Sequence, residues 1–295
     1  MNSLNIKNRL TYLNSHDTSE NIFGSSSHHY FIFPKISEKN IGIIENKLSI
    51  RIPEEYKYYL TNISGGGVGP GYGLQWLESI IFESLDNDNF TKMTIDQYFS
   101  SKEAKKWAQS TLQPQNQESY YDINRYPSEL PQSLKDKFEL SHKNKLSQKP
   151  INFYLKVFIN NLSRYIRQVA NNSDIDKPFP FTKPIDGYRN ISRNSVTIDE
   201  DEADREWLRL WKQYDLDRFR NGTIPICSYG HEVVAILVVN GDEYGNVWIL
   251  DSENLILEPF GDNWAILHSS KHAHSNRYNF IEWFLHWLDS SELLV

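Results

Sequence analysis

Apolar positions in the N-terminal part of the chain repeat at threes and fours, whereas those after residue 220 gather into short β-branched runs, so the pattern predicts helices first and strands last. Leu4, Ile6, Leu10 and Leu13 carry a weak helical rhythm through residues 1–15 and predict a loosely docked first helix, while His16 to His29 reads as loop. A clearer stripe, Ile41, Ile44 and Leu48, lies between Ile36 and Leu48, with Ser37 placed to cap the helix by accepting a backbone N–H. Pro53 marks another helix start, because its fixed φ and missing N–H suit a first turn, and Tyr56, Tyr59 and Leu60 follow on one face. These helices carry their apolar residues on one side and need a sheet to pack on.

Between the Pro53 helix and the next apolar run stands Gly65-Gly66-Gly67-Val68-Gly69-Pro70-Gly71-Tyr72-Gly73-Leu74. Glycine allows positive φ and proline fixes its own, so the stretch predicts a rigid, shaped loop that delivers the chain into a strand from Tyr72 to Leu77. It is not a phosphate cradle of known type. No Gly-Lys-Ser/Thr follows, and no three glycines stand at GxGxxG spacing.

After Ser79 to Phe82 and a polar turn at Asp86-Asn87-Asp88-Asn89, the middle of the chain predicts helices. Thr94 and Gln97 have capping-box spacing for a helix toward Ser110. Gln113 to Tyr126 reads as loop, and a further helix is predicted over Gln132 to Lys145. Tyr154, Val157, Phe158, Leu162, Tyr165, Ile166 and Val169 then form a wide stripe. Pro178, Pro180 and Pro184 stiffen an extended connection. A second capping box, Thr197 to Glu200, opens a helix with Trp207, Leu210, Trp211 and Tyr214 on one side. Six acids lie between Asp199 and Glu206 against Arg205 alone, as a solvated complement to the helix N-terminus or as a surface facing a partner.

Strand patterning returns at Ile224–Ser228, Val233–Val239 and Asn246–Leu250, separated by turn residues that include Asn240-Gly241-Asp242-Glu243 and Tyr244-Gly245, with Ile256-Leu257 as a further candidate. Short connections imply an antiparallel meander. The run Val233–Val239 is apolar on both faces and predicts an interior strand covered by helices on one side. The segment from Phe280 to Asp289 predicts an amphipathic helix with Phe280, Ile281, Phe284, Leu285 and Leu288 inward.

Composition narrows the picture. The 295 residues include 14% aromatic ones, with 8 Trp and 17 Tyr, enough for a ring-rich core or for a surface that grips a protein. A net charge of −7 argues against general nucleic-acid binding and suits a basic partner. Cys227 is the only cysteine, which rules out an intramolecular disulfide and favours a cytoplasmic home. The N-terminal residues lack an apolar signal core, and the longest apolar run, Val233–Val239, is too short to span a bilayer, so no membrane insertion is expected.

Candidates for catalysis are weak. His268, His272 and His274 lie close together without the acid of a zinc-peptidase pattern and read as surface histidines. Cys227 and His231 suggest a thiol and a base, but the cysteine stands among apolar neighbours, where thiols are inert. No GxSxG elbow occurs. No catalytic residue, metal or cofactor is assigned, and the chain is expected not to be an enzyme.

Two segments, Ile52-Pro53-Glu54-Glu55-Tyr56 running into Gly65-Gly66 and Gly69-Pro70-Gly71-Tyr72-Gly73, and the block from Pro225 through Gly241, Gly245 and Trp248 to Asp251, resemble the signature blocks of the SUKH superfamily, the SMI/KNR-like immunity and regulatory proteins. The terminal aromatic helix is similar as well. The resemblance implies a single α+β domain over 1–295, a mixed, mainly antiparallel sheet flanked by helices, with core segments 30–90 and 220–295 and a large helical insertion at 91–219. It implies an immunity protein that binds and neutralises a cognate toxin and is monomeric or weakly dimeric; an acidic surface would suit a toxin whose basic active site handles nucleic acid, as a substitute for phosphate. Contact candidates are Tyr72, Trp76, Trp248 and Asp251, the turn acids Asp242 and Glu243, and the patch Asp199, Glu200, Asp201 and Glu202. The alternative from the same family is a regulatory scaffold in cell-wall synthesis, and a metal-dependent hydrolase using the histidine cluster ranks last.

Overall fold

The computed structural model describes residues 3–33, 35–81, 174–186, 220–261 and 277–295, together with positions 205, 208 and 209. Helix α1 (Ser3–His16) realises the weak rhythm of the first residues, and it is firmly rather than loosely docked. Ile6, Leu10 and Leu13 are buried, each contributing about 2 kcal/mol by leaving water. Arg9 adds a fork, donating from Nε to Glu292 at 2.7 Å and from Nη2 to Asp289 at 2.6 Å. The local pattern could not show the second part of this docking, because Arg9 pairs with the far end of the chain.

A single turn, α2 (Ser25–His28), interrupts the segment read as loop. Helix α3 (Glu38–Leu48) begins where Ser37 accepts from the Asn40 N–H, and it buries Ile41, Ile44 and Leu48 as the spacing predicted. Helix α4 (Glu54–Asn62) starts one residue after Pro53 and buries Tyr56, Tyr59 and Leu60. Helix α5 (Phe280–Glu292) opens with a full capping box, Asn279 and Glu282 exchanging side-chain and backbone bonds. Its fully covered face is Phe280, Trp283, Phe284 and Leu288, whereas Ile281 and Leu285 are only partly covered. The α4 and α5 rings meet directly, Tyr56 against Phe280 at 4.5 Å and Tyr59 against Phe284 at 4.8 Å.

The sheet has the order β1-β5-β4-β3-β2, with every pairing antiparallel. Its strands are β1 (Ile185–Asp186), β2 (Thr223–Gly230), β3 (Val233–Val238), β4 (Val247–Asp251) and β5 (Ile256–Pro259). The last four form the expected meander, and the pair Ile256-Leu257 is confirmed as part of a strand. Helices and antiparallel sheet together make the described fold α+β. Strand parity divides its side chains into two cores. Ala235, Leu237, Val247 and Ile249 join the main core with α1, α3, α4 and α5, while Val234, Ile236, Val238, Trp248, Leu250 and Leu257 form a second cluster with Phe179. The proline-stiffened connection supplies that cover: Phe179 N–H donates to Asn240 O at 2.9 Å, and Ile185-Asp186 pairs with Leu257 and Ile256.

The strand predicted from Tyr72 to Leu77 does not form. Gly73 has a φ of 101°, which breaks the extended run, and the chain makes only single bridges from Gly67 to Leu74 and from Leu74 to Cys227 before entering a 3₁₀ turn at Leu77–Ile81. The turn at Asp86–Asn89, the loop Gln113–Tyr126 and the helices expected after Thr94, Gln132, Tyr154 and Thr197 lie outside the described residues, as do the His268–His274 cluster and Asp199–Glu202.

Candidate functional site

Strand β2 lies at one edge of the sheet, and an uncovered edge would offer free backbone groups to other chains. The glycine-rich loop occupies it instead. Tyr72 N–H donates to Ser228 O and Gln75 N–H to Ile226 O, both at 2.8 Å. On its other side the loop joins residues 31–33, with Val68 N–H donating to Phe31 O at 2.7 Å and Phe33 N–H to Gly66 O at 3.1 Å. Gly73 N–H closes the turn onto Pro70 O at 3.0 Å. The loop is thus hydrogen-bonded on both flanks despite having no regular structure.

Two glycines are required by close approach. Gly71, at φ 55°, packs so that a Cβ would overlap Ser228 O, and a Cβ on Gly24, at φ 83°, would overlap the Gly71 carbonyl oxygen. Three chain segments therefore converge on glycine backbone, and each carries an aromatic ring beside it: Phe23 before Gly24, Tyr72 after Gly71, and Tyr229 before Gly230. Phe23 stacks on Tyr229 with centroids 6.4 Å apart and planes 10° apart, and it lies 5.5 Å from Tyr72. The Tyr72 ring rests over Gly230. Trp283 Nε1 donates to Tyr229 Oη at 3.3 Å and ties that ring to α5. Phe23 is 56% exposed and Tyr72 39% exposed, so the three rings make a shelf that is open on one side.

The backbone around the shelf is held in costly conformations. Of seven non-glycine residues with positive φ among those described, Glu20, His29, Tyr30, His231 and Glu232 belong to the segments carrying Phe23 and Tyr229. Each costs on the order of 1–2 kcal/mol, and such strain concentrates where function demands a shape. A buried bond and a partly buried one hold the first segment in place, Tyr30 Oη donating to Asp17 at 2.7 Å and His29 Nδ1 lying 2.8 Å from Glu20. His231 and Glu232 form the exposed two-residue turn between β2 and β3.

The other contact candidates are distributed differently. Trp76 is 2% exposed, edge-on to Phe33 at 5.9 Å, and Trp248 is wholly buried against Phe179 at 5.1 Å, so both are corrected from surface anchors to core residues. Trp248 follows from parity: the strand position places it on the outer sheet face, which the 174–186 segment covers. Asp251 closes the β4–β5 hairpin, its carboxylate accepting from the Asn254 N–H at 2.9 Å and the Asn254 amide at 2.8 Å. Glu243 is 7% exposed and accepts from Arg277 Nε at 2.8 Å, which makes it a structural ion pair rather than a contact residue. Asp242 is exposed beside it. An open groove of about 620 Å³ runs from Glu45, Ser49 and Arg51 to Gly241 and Tyr244. Gly65, Gly69 and Gly245 are buried or partly buried backbone, as are the other signature glycines.

Cys227 lies under the shelf rather than on it. Its Sγ–H donates to Pro70 O at 2.8 Å, and burial pushes the thiol well above the ordinary range, which disfavours the thiolate a nucleophile needs. Burial first, and then the neighbouring Cys227, likewise pushes the Tyr229 phenol well up. Among the described residues no group of three or more His, Cys, Asp or Glu could hold a metal ion, and no helix is long and apolar enough to cross a membrane.

Phe23 and Tyr229 were missed because stripe and strand rules treat them as loop and strand-end residues. Their common signal is local: each ring of the shelf adjoins a glycine, in Phe23-Gly24, Gly71-Tyr72-Gly73 and Tyr229-Gly230. No family model matches the chain, and neither a curated protein nor a solved structure is significantly similar to it.

Proposed function

We propose that the protein is a stoichiometric binder of the immunity class, which neutralises a cognate protein toxin by covering its active site or an essential surface. The observation that carries this reading is the shelf: Phe23 and Tyr72 expose their rings on a backbone that glycine packing and hydrogen bonds hold in one shape. Aromatic side chains dominate the energetics of protein interfaces, and a preformed surface spares the ordering entropy that association otherwise costs. The signature segments that resemble SUKH immunity proteins supply two of the three rings of this surface, Tyr72 on the loop and Tyr229 on the β2 edge it covers, and Phe23 comes from outside them. The net charge of −7 speeds encounter with a basic toxin, and a cytoplasmic location accompanies this role.

Co-expression with a candidate toxin, such as the C-terminal region of a large protein if one is encoded beside it, tests the proposal. Rescued growth and a complex with a Kd of about 10⁻⁹ M or tighter are expected. No rescue and no complex, with the toxic region confirmed as toxic alone, would reject toxin neutralisation and favour the regulatory scaffold.

A further inference from the structure

We infer that the shelf of Phe23, Tyr72 and Tyr229 receives a cationic side chain, an arginine or lysine presented by a loop of the protein partner. This rests on the binding reading above and adds the chemistry of the contact.

The first argument is the ring faces. An aromatic face carries the negative end of the ring quadrupole, and stacked, partly open rings attract guanidinium and ammonium groups more than neutral ones. Phe23 offers the most exposed face, and Tyr229 beneath it is nearly parallel. Tyr72, tilted by 34° from Phe23, makes one wall. A planar guanidinium fits such a corner by stacking on one ring while its N–H groups remain free for carboxylates.

The second argument is charge. The segments that build the shelf fall within residues 10–34, 58–81 and 221–261, and none of these stretches contains a lysine or an arginine. The formal charges closest in sequence to Phe23 and Tyr229 are acidic. Glu232 is exposed on the turn two residues beyond Gly230, over which the Tyr72 ring lies, and Glu20 stands three residues before Phe23. His29 pairs with Glu20, and His231 shares the turn with Glu232. An anionic occupant would meet no permanent cation on these segments. The groove beside Tyr244 is different, since it carries both Glu45 and Arg51 and so selects no single ligand chemistry.

The third argument is rigidity. The two-residue turn that presents Glu232 is fixed in the left-handed region, with φ 46° at His231 and 60° at Glu232, and so offers the carboxylate from one backbone shape.

The test uses the full chain with labelled Phe and Tyr rings and three short peptides, alike except for one central residue: arginine, its neutral isostere citrulline, or glutamate. Titration with the arginine peptide should move the Phe23, Tyr72 and Tyr229 ring resonances, with citrulline and glutamate binding about two- to fivefold more weakly, as loss of a cation–π contact at an exposed site implies. Phe23→Ala and Tyr72→Ala, both at exposed positions, should reduce the arginine response by a similar factor while leaving the thermal midpoint unchanged. Glu232→Gln alters no packing and should also weaken it. Equal binding of citrulline and arginine would overturn the inference, and so would arginine shifts confined to other surfaces. The peptide result does not depend on the toxin. Conversely, a toxin complex whose affinity survives the double variant F23A/Y72A would keep the neutraliser reading and sink the shelf.

Discussion

The glycine-rich loop and the β4 strand use the same kinds of residue to opposite ends. Tyr72 in the loop keeps 39% of its surface in solvent, whereas Trp248 in the strand keeps none. Both rings follow a glycine by one to three residues, and both stand in the segments with the strongest sequence signatures. The difference lies in what backs each backbone. In β4 both sheet faces are covered, by the helices on one side and by Phe179 and its neighbours on the other, so parity can only choose between two cores. The loop has one covered side, where Gly67 and Gly71 press against the chain, and a ring placed opposite that contact must face water. An aromatic residue is thus an anchor or a core element according to how many layers enclose it, not according to its type.

The sharpest way to break this comparison is to truncate both rings. Trp248→Ala should cost about 4 kcal/mol by leaving a large cavity in a packed cluster, whereas Tyr72→Ala should stay within about 0.5 kcal/mol of the parent. Chemical denaturation of the two variants decides it, and similar losses would mean that Tyr72 is a packing residue. Next in size is Gly71→Ala, expected to cost about 3 kcal/mol, since the methyl would meet Ser228 O in a left-handed conformation. A loss below about 1 kcal/mol would show that the loop yields and the shelf is not preformed.

A smaller effect tests the core beneath. Burial holds the Tyr56 and Tyr59 phenols well above their ordinary range, with mutual repulsion as a second cause for Tyr59. Because their folded pKa values are raised, the folded state keeps protons that the unfolded chain releases. The stability they contribute is complete below the ordinary phenol range and is lost as pH rises through it, by up to about 1.4 kcal/mol per pH unit for each phenol above about pH 10. Denaturation midpoints compared at about pH 8 and pH 11 should show that fall. Constant stability would mean that the hydroxyls reach solvent.

Much of the local structure was legible. Ser37 as a cap, the Ile41-Ile44-Leu48 stripe, the Tyr56-Tyr59-Leu60 face and the meander all follow from rules acting within a few residues. The failures share one cause. The strand expected after Tyr72 lost its ladder to a glycine φ that the spacing allowed but did not require. The docking of α1 was underestimated because Arg9 finds its partners more than 270 residues away, at Asp289 and Glu292.

The candidate site divides along the same line. Sequence alone determined that a rigid glycine turn would stand ahead of Tyr72, that Cys227 would sit among apolar neighbours, and that the final helix would bury an aromatic face, because φ restriction, hydropathy and helical period are properties of short stretches. Only the tertiary structure decided that Phe23 and Tyr229 join Tyr72, that Trp76 and Trp248 are enclosed, and that Glu243 is committed to Arg277. Those outcomes depend on which distant segments approach closely enough for a missing Cβ to matter. That is settled by packing across the whole chain.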